Sequence, residues 1–250
     1  MFKHLTPITK NIILINVVVY ILSNIFTSLY SILPAYYPFS HNFKSWQIIT
    51  HMFMHAPFQS GTGIMHILFN MITLMSFGPV LEMYLKEKRY LILYFASGLG
   101  AFILFNIWNI YEVNQLISQF DSFKGNTAEI FAKSSFGYGK DIPISASSNE
   151  GLAIGSRLAE SIRTPMLGAS GAIFGVVAAF STLFPDSKLM FMFIPYPIKA
   201  KYLFPIIVVV SVYLGFSGNM SGIAHFAHVG GAIIGFLLAR YWNKNKFRIQ

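Results

Sequence analysis

The sequence predicts an all-α membrane protein, folded as a bundle of six membrane-spanning helices, and three observations lead to this prediction. Of the 250 residues, 54% are hydrophobic and 11% are charged, whereas soluble domains carry about 25% charged residues. Several stretches are long and apolar enough to cross a bilayer, which takes roughly 20 residues. The positive charges then gather on one side of the spans that these stretches define.

The six spans are based on the long stretches that lack Lys, Arg, Asp and Glu, divided where turn residues occur. They are predicted at about 11–30, 64–82, 90–110, 167–184, 202–217 and 222–240. The first is interpreted as an anchor helix, because its apolar core is long and no small-residue cleavage site follows it. The fifth is short and is expected to end near Gly218. Residues 1–250 are interpreted as a single membrane domain.

Two outer segments connect these spans. The first, 31–62, is rich in aromatic residues and proline, so we expect it to lie in the membrane interface. The second is predicted as a long outer loop at 111–165. It contains a short surface helix at 150–163, because Ser147-Ser148-Asn149 followed by Glu150 is typical of a helix start.

The charges orient the bundle. Twelve of the 18 Lys and Arg residues, but three of the nine Asp and Glu residues, fall on the side that holds both termini. Cytoplasmic segments carry this excess, so we expect cytoplasmic termini. The compact six-span design separately favours a bacterial plasma membrane. The net charge of +9 therefore reflects membrane orientation, and no nucleic-acid partner is expected.

Polar side chains inside spans are costly and indicate function. His66 and Asn70 share one face of the second span, while Ser170 opens the fourth span and His228 lies in the sixth. At 1.5 Å per residue, Ser170 lies about 5 Å, His228 about 9 Å and the His66–Asn70 pair about 3–9 Å below the outer ends of their helices. Three spans thus place their polar groups in one layer beneath the outer surface.

Small residues beside Ser170 and His228 allow their helices to approach closely, which a hydroxyl and an imidazole need in order to form a hydrogen bond. The aspartates all lie outside the predicted spans, and the chain has no cysteine. Serine chemistry would therefore use a Ser170–His228 dyad without an aspartate. His66, Asn70 and the backbone N–H of Ser170 would donate to a developing oxyanion.

A zinc site is the alternative use of these histidines. His51, His55, His66, His225 and His228 all lie toward the outer side, and imidazole is a zinc ligand. No HExxH motif or carboxylate accompanies them, so no metal or organic cofactor is expected.

Four pieces of the sequence, in this order, resemble the rhomboid intramembrane serine proteases. They are His66-x-x-x-Asn70, Gly78-Pro79-Val80-Leu81-Glu82, Gly168-Ala169-Ser170-Gly171 and Ala227-His228-Val229-Gly230-Gly231. They fall on spans 2, 4 and 6 of a six-span bundle, and the similarity covers most of residues 8–240.

The resemblance implies Ser170 as nucleophile and His228 as general base, with His66, Asn70 and the Ser170 amide as the oxyanion site. It also implies that His55 lines a hydrated cavity and that Trp46 belongs to the loop after span 1. Gln47 follows Trp46 where the family often has arginine, which affects how that loop is anchored.

The resulting hypothesis is a serine endopeptidase that cleaves transmembrane segments of single-span membrane proteins near the outer face. Two other classes stay open: a catalytically inactive relative that binds transmembrane helices, and a zinc-dependent membrane protein. A channel fits less well, because the polar residues lie at one depth instead of lining a full path.

Overall fold

A computed structural model describes residues 5–134, 144–191, 194–217 and 225–245. Within these ranges the chain is mostly helical. The α-helices are α1 Pro7–Ile25, α2 Leu29–Ile32, α3 Gln47–Thr50, α4 Gly63–Ser122, α5 Thr127–Lys133, α6 Asn149–Arg163, α7 Ser170–Leu183, α8 Leu203–Ser217 and α9 His225–Asn245. Three parts of the predictions lie outside the described residues: the end of the fifth span near Gly218, the start of the sixth span at 222–224, and 135–143 of the outer loop.

Helix α4 consists of two arms that meet at Lys86, whose backbone is not helical (φ 69°, ψ 163°). Gly78 and Tyr90 lie in contact across this point, since a Cβ on Gly78 would be 2.6 Å from the Tyr90 hydroxyl. In a straight helix twelve residues span about 18 Å, so the chain folds back on itself at Lys86. The arms, residues 63–85 and 87–122, contain the predicted spans 64–82 and 90–110.

The second arm corrects part of the predicted outer loop. It continues as helix to Ser122, beyond the predicted end at 110. Val113, Leu116 and Phe120 are buried, and their spacing of three and four places them on one helix face. The polar residues between them make this extension too hydrophilic for a membrane span. It is instead an amphipathic helix with one apolar face.

Helices α5 and α6 pack on this extension to form a small second core, which we call the cap (residues 111–134 and 144–163). The described α6 coincides closely with the helix predicted at 150–163. Its N-terminus is capped by Ser148, whose hydroxyl accepts a 3.1 Å hydrogen bond from the Gly151 N–H. Leu158 and Ile162 of α6 are fully buried against the α4 extension. The cap is therefore an ordered helical unit and not an open loop.

A two-stranded hairpin joins α7 to α8 and departs from an all-α fold. Strands β1 (Lys188–Phe191) and β2 (Ile194–Lys199) pair antiparallel. Proline at 195 and 197 disfavours helix there, because it lacks the N–H that a helix requires. The Ser181 hydroxyl donates to the Ala200 carbonyl at 2.6 Å, which ties the end of the hairpin to α7.

Two described helices, α1 and α4, are long and apolar enough to cross a membrane by length and composition. Helix α7 and the segment Ala200–Gly215 are apolar but shorter. Large apolar side chains are exposed along α1, α4 and α8. The count of six spans stays a prediction.

The two ends of the bundle differ in chemistry. At the end remote from Ser170, the buried carboxylate of Glu82 accepts hydrogen bonds from the N–H groups of Ile8 (2.9 Å) and Thr9 (2.7 Å). The hydroxyls of Thr6 and Thr9 also donate to it. Glu82 thus caps the N-terminus of α1, where the helix dipole favours negative charge.

Candidate active site

Ser170 and His228 face each other across two helix ends. Ser170 is the first residue of α7, and His228 lies in the first turn of the described α9. The Ser170 Oγ lies 3.1 Å from the His228 Nε2, which is hydrogen-bonding distance. Both side chains are partly buried. The geometry is that of a hydroxyl beside a base able to take its proton.

Phe174 fixes the plane of the His228 ring. Its ring stacks on the imidazole with centroids 4.0 Å apart and planes 8° apart. Phe174 lies four residues after Ser170 on α7, so both side chains share one helix face. The sequence analysis did not single out Phe174, although its i+4 spacing from the serine was the available signal.

No acidic side chain completes a triad within the described residues. The ion pairs there are Lys133–Glu129, Arg157–Glu112 and Lys199–Asp186, all away from His228. Glu82, which hydrogen-bonds to the start of α1, lies twelve residues beyond Asn70 on one arm of α4, about 18 Å along the helix. The described site is therefore a pair of residues.

His66 presents its Nε2 to the turn before the serine. A Cβ on Gly168 would lie 2.9 Å from the His66 Nε2 and 3.5 Å from the Ser170 Oγ. On the other side of the ring, the Ala56 N–H donates to Nδ1 at 3.4 Å. In a neutral imidazole one nitrogen carries the proton, so this bond assigns the proton to Nε2. His66 then offers an N–H donor beside Ser170.

Asn70 lies one turn along the same face of α4. Its side chain is 7% exposed, and its Nδ2 has no hydrogen-bond partner among the described residues. A buried amide donor without a partner is costly. Such a group is available for an acceptor on a bound molecule.

Gly168 makes the turn before α7 possible. Its φ of +121° lies in a region that side chains rarely adopt. Its N–H donates to the His51 carbonyl at 3.0 Å. The turn therefore holds Ser170 at the helix start, with His66 packed over a residue that lacks a side chain.

A seam of glycines sets the distance between α7 and α9. A Cβ on Gly231 would lie 1.9 Å from the carbonyl oxygen of Gly171, and one on Gly235 would lie 2.1 Å from that of Gly175. The two backbones are therefore in direct contact, as the small-residue stripes in the sequence predict. This contact is what brings Ser170 and His228 together.

His55 and Trp46 occupy different positions relative to the site. His55 is fully buried, with its ring 5.1 Å from that of His66, and neither of its nitrogens has a described partner. Burial is the main cause that lowers the pKa of His55, to about 3, and the nearby His66 lowers it further in the same direction. Trp46 is half exposed and donates its indole N–H to the Ile32 carbonyl at 3.0 Å. It anchors the 31–62 segment instead of facing Ser170.

Gln47 anchors the same segment by a buried network of hydrogen bonds. Its Oε1 accepts from the N–H groups of Tyr36 (3.4 Å) and Lys44 (3.1 Å). Its Nε2 donates to the carbonyls of Ile32 (3.2 Å) and Asn42 (3.0 Å). Gln47 therefore anchors the 31–62 segment although the family often has arginine at this position, because its amide supplies both donors and acceptors.

The other histidines do not assemble into a described metal centre. The His51 Nδ1–H donates to the Gln47 carbonyl at 2.8 Å, and the His225 ring lies 6.2 Å from that of His228. Within the described ranges, no group of three or more His, Cys, Asp or Glu side chains is placed to hold a metal ion.

The fold and the site together define a class: a helical membrane protein in which two helix ends bring a serine and a histidine into contact. The Rhomboid domain family model matches residues 42–244. The chain therefore belongs to the rhomboid family and is an integral membrane protein.

Several curated relatives share this similarity. The chain is 27% identical over 244 residues to rhomboid protease AarA of Providencia stuartii, covering 93% of this chain and 71% of that protein. It is 24% identical over 194 residues to rhomboid protease GluP of Bacillus subtilis, covering 78% of this chain and 25% of that one. It is 38% identical over 80 residues to mitochondrial rhomboid protein 1 of Saccharomyces cerevisiae, covering 32% and 23% of the two chains. The chain thus spans only about a quarter of the length of the latter two.

Proposed function

We propose that the chain is an intramembrane serine endopeptidase of six spans that cleaves transmembrane segments of single-span membrane proteins. The observation that carries this proposal is the 3.1 Å distance between the Ser170 Oγ and the His228 Nε2, beside the donors of His66 and Asn70. The protease names of the bacterial relatives support the same reaction.

The proposed reaction begins when Ser170 attacks the substrate carbonyl and its hydroxyl proton passes to the His228 Nε2. The negative oxygen that forms accepts hydrogen bonds from the His66 Nε2–H, the Asn70 Nδ2 and the Ser170 N–H. His228 then gives the proton to the leaving amine as the peptide bond breaks, leaving an acyl-enzyme. Water, deprotonated by the same histidine, then attacks the ester carbonyl; the bond to the Ser170 Oγ breaks, His228 returns the proton to that oxygen, and the second product leaves with a new carboxyl group.

The stacked ring of Phe174 has a role in this scheme. A base that swings away from the nucleophile loses the near-attack geometry on which catalysis depends. Phe174 restricts the imidazole to one plane through its 4.0 Å stack. Among the described residues His228 has no acidic partner, and its stack on Phe174 orients the ring.

Reaction with a fluorophosphonate probe tests the proposal directly. Purified wild type in mild detergent should be labelled, whereas Ser170→Ala and His228→Ala should not. Ser156→Ala is the matched control, because Ser156 is exposed on α6 and should not alter labelling. If the wild type is folded but stays unlabelled, and a proteolytic digest of it contains no peptide that carries the probe, the result would favour an inactive relative that binds helices.

The membrane orientation is part of the proposal. Both termini would lie on the Lys- and Arg-rich cytoplasmic side of a bacterial plasma membrane, with Ser170 toward the opposite face. The chain has no cysteine, so single cysteines can be introduced without background. A cysteine at Ser156 should react with an impermeant maleimide from outside intact cells, whereas one at Ser187 should react only after lysis.

A further inference from the structure

A narrow apolar groove lies between α7, α8 and α9, behind the His228 ring. Its volume is 270 Å³, and Ser170, His66 and Asn70 are not among its walls. One wall is the α8 face formed by Ile206, Ile207, Val210, Ser211 and Leu214. The groove is therefore separate from the proposed oxyanion site, although it touches the histidine.

The shape of the groove suits a chain and not a compact ligand. Ile206 and Leu214 lie eight residues apart on α8, which is about 12 Å along the helix axis. The volume lies just below the roughly 300–1,000 Å³ of sites that enclose drug-sized molecules. An extended hydrocarbon running parallel to α8 matches both values.

The groove opens toward the lipid. Ile206 and Val210 line it and are also 50% and 48% exposed, on a helix whose Val209 and Tyr213 are exposed as well. In an integral membrane protein, this face of α8 meets acyl chains. A hydrocarbon can therefore enter the groove from the bilayer without passing through water.

One polar group in the wall indicates where a lipid's polar end would lie. His225 lines the groove, is 7% exposed, and its Nε2 has no hydrogen-bond partner among the described residues. Leaving such a group unpaired is unfavourable. His225 begins the described α9, and the predicted sixth span, 222–240, places it near the outer end of that span, toward the lipid ester groups.

We propose that this groove binds one acyl chain of a bilayer phospholipid, with the ester linkage of that chain hydrogen-bonded to His225. The chain runs from His225 and Leu214 toward Ile206. Along its length, the acyl chain packs against Phe174 and His228 in the groove, whose walls do not include Ser170. The lipid is a bound component of the bundle and not a substrate.

Photocrosslinking in nanodiscs tests the proposal. The probe is a phosphatidylglycerol that carries a diazirine within one acyl chain, and the protein is the full chain with Ser170→Ala, so the result does not depend on proteolysis. We expect crosslinks to concentrate on Ile207, Val210 and Ser211 over the exposed Val209 and Tyr213. Equal labelling of both sets would show bulk lipid contact and overturn the proposal.

Two variants make the result specific. Val210→Trp fills the groove and should remove most groove crosslinks, whereas Val209→Trp, one residue away on the lipid face, should not. His225→Phe removes the imidazole N–H but keeps a ring, so the photolipid content needed for half-maximal crosslinking in the groove should rise about two- to tenfold. His225→Phe also serves if Val210→Trp does not fold. Unchanged crosslinking in His225→Phe would refute the role of this histidine.

A peptide competitor separates lipid from substrate. A transmembrane peptide with a photoreactive side chain should leave the lipid crosslinks in the groove unchanged. If the peptide instead labels Ile207 and Val210 and displaces the lipid, the groove is a substrate site and the lipid proposal is wrong.

Discussion

Replacing Gly168 by alanine should disable the site while leaving the bundle folded. The Gly168 φ of +121° is unfavourable for any residue with a side chain. The new Cβ would also lie 2.9 Å from the His66 Nε2 and 3.1 Å from its Cε1. The first contact is closer than a Cβ tolerates and the second is tight, so either the imidazole or the turn that carries Ser170 has to move.

The size of the effect follows from these two terms. A residue held in an unfavourable backbone region costs about 1–3 kcal/mol of stability. If the His66 ring shifts away, one oxyanion donor is lost, and in subtilisin such a loss lowers kcat by about 10²–10³. We therefore expect a modest fall in thermal stability and a kcat reduced by about two to three orders of magnitude.

The assay is cleavage of a fluorogenic transmembrane substrate in proteoliposomes, with rates normalised to folded protein from a thermal unfolding scan. Gly61→Ala is the matched control, because a Cβ there meets nothing within 4 Å. It should change neither rate nor stability. A Gly168→Ala enzyme that retains its rate within a factor of two would refute the assigned position of His66.

Three further predictions concern buried polar groups. Gln47→Ala leaves the four backbone partners of its amide unpaired, and should lower the free energy of unfolding by about 2–4 kcal/mol. Glu82→Gln removes the charge that caps α1, and should destabilise the fold by a similar amount without changing the pH profile of cleavage. Burial lowers the pKa of His51 to about 4 and that of His55 to about 3. Since their unfolded pKa is near 6.5, stability is fully present above pH 6.5 and falls as the pH drops toward those values, by up to about 1.4 kcal/mol per pH unit for each histidine.

Each of these has an exposed counterpart as its control. Ile49→Ala, in the same short helix as Gln47, and Glu87→Gln, near Glu82, should leave the unfolding temperature nearly unchanged, as both are exposed. His41→Asn, also at an exposed position, should leave the acid sensitivity as it is. Acid stability that is the same in wild type and in His51→Phe would contradict the pKa assigned to His51.

The sequence predicted the parts of the fold that depend on apolar length and small-residue spacing. Both arms of α4 contain their predicted spans, and the Gly171–Gly231 contact follows from the spacing of small residues. The layer of polar groups was also predicted, and the structure brings Ser170, His228 and His66 to one end of the bundle. These features are local in sequence or repeat with the helical period, so a single chain reveals them.

Other features depend on contacts between distant segments and were not predictable. The α4 extension is polar enough to resemble a loop, and it is helical because α6 covers its apolar face. The role of Gln47 depends on four backbone groups that only the folded 31–62 segment brings together. Phe174 has meaning only once α9 places His228 against it.

The glycine seam also determines how the protein responds to the thickness of its membrane. A bilayer that does not match the length of a helix makes that helix tilt or slide. Helices α7 and α9 touch through their backbones, with no side chains between them to compress, so neither can shift alone without a collision. We therefore expect mismatch to be accommodated by helices outside this pair, such as α1 and α8, whose large apolar side chains are exposed. The bundle thus separates the helices that adapt to the lipid from the pair that keeps Ser170 and His228 in register.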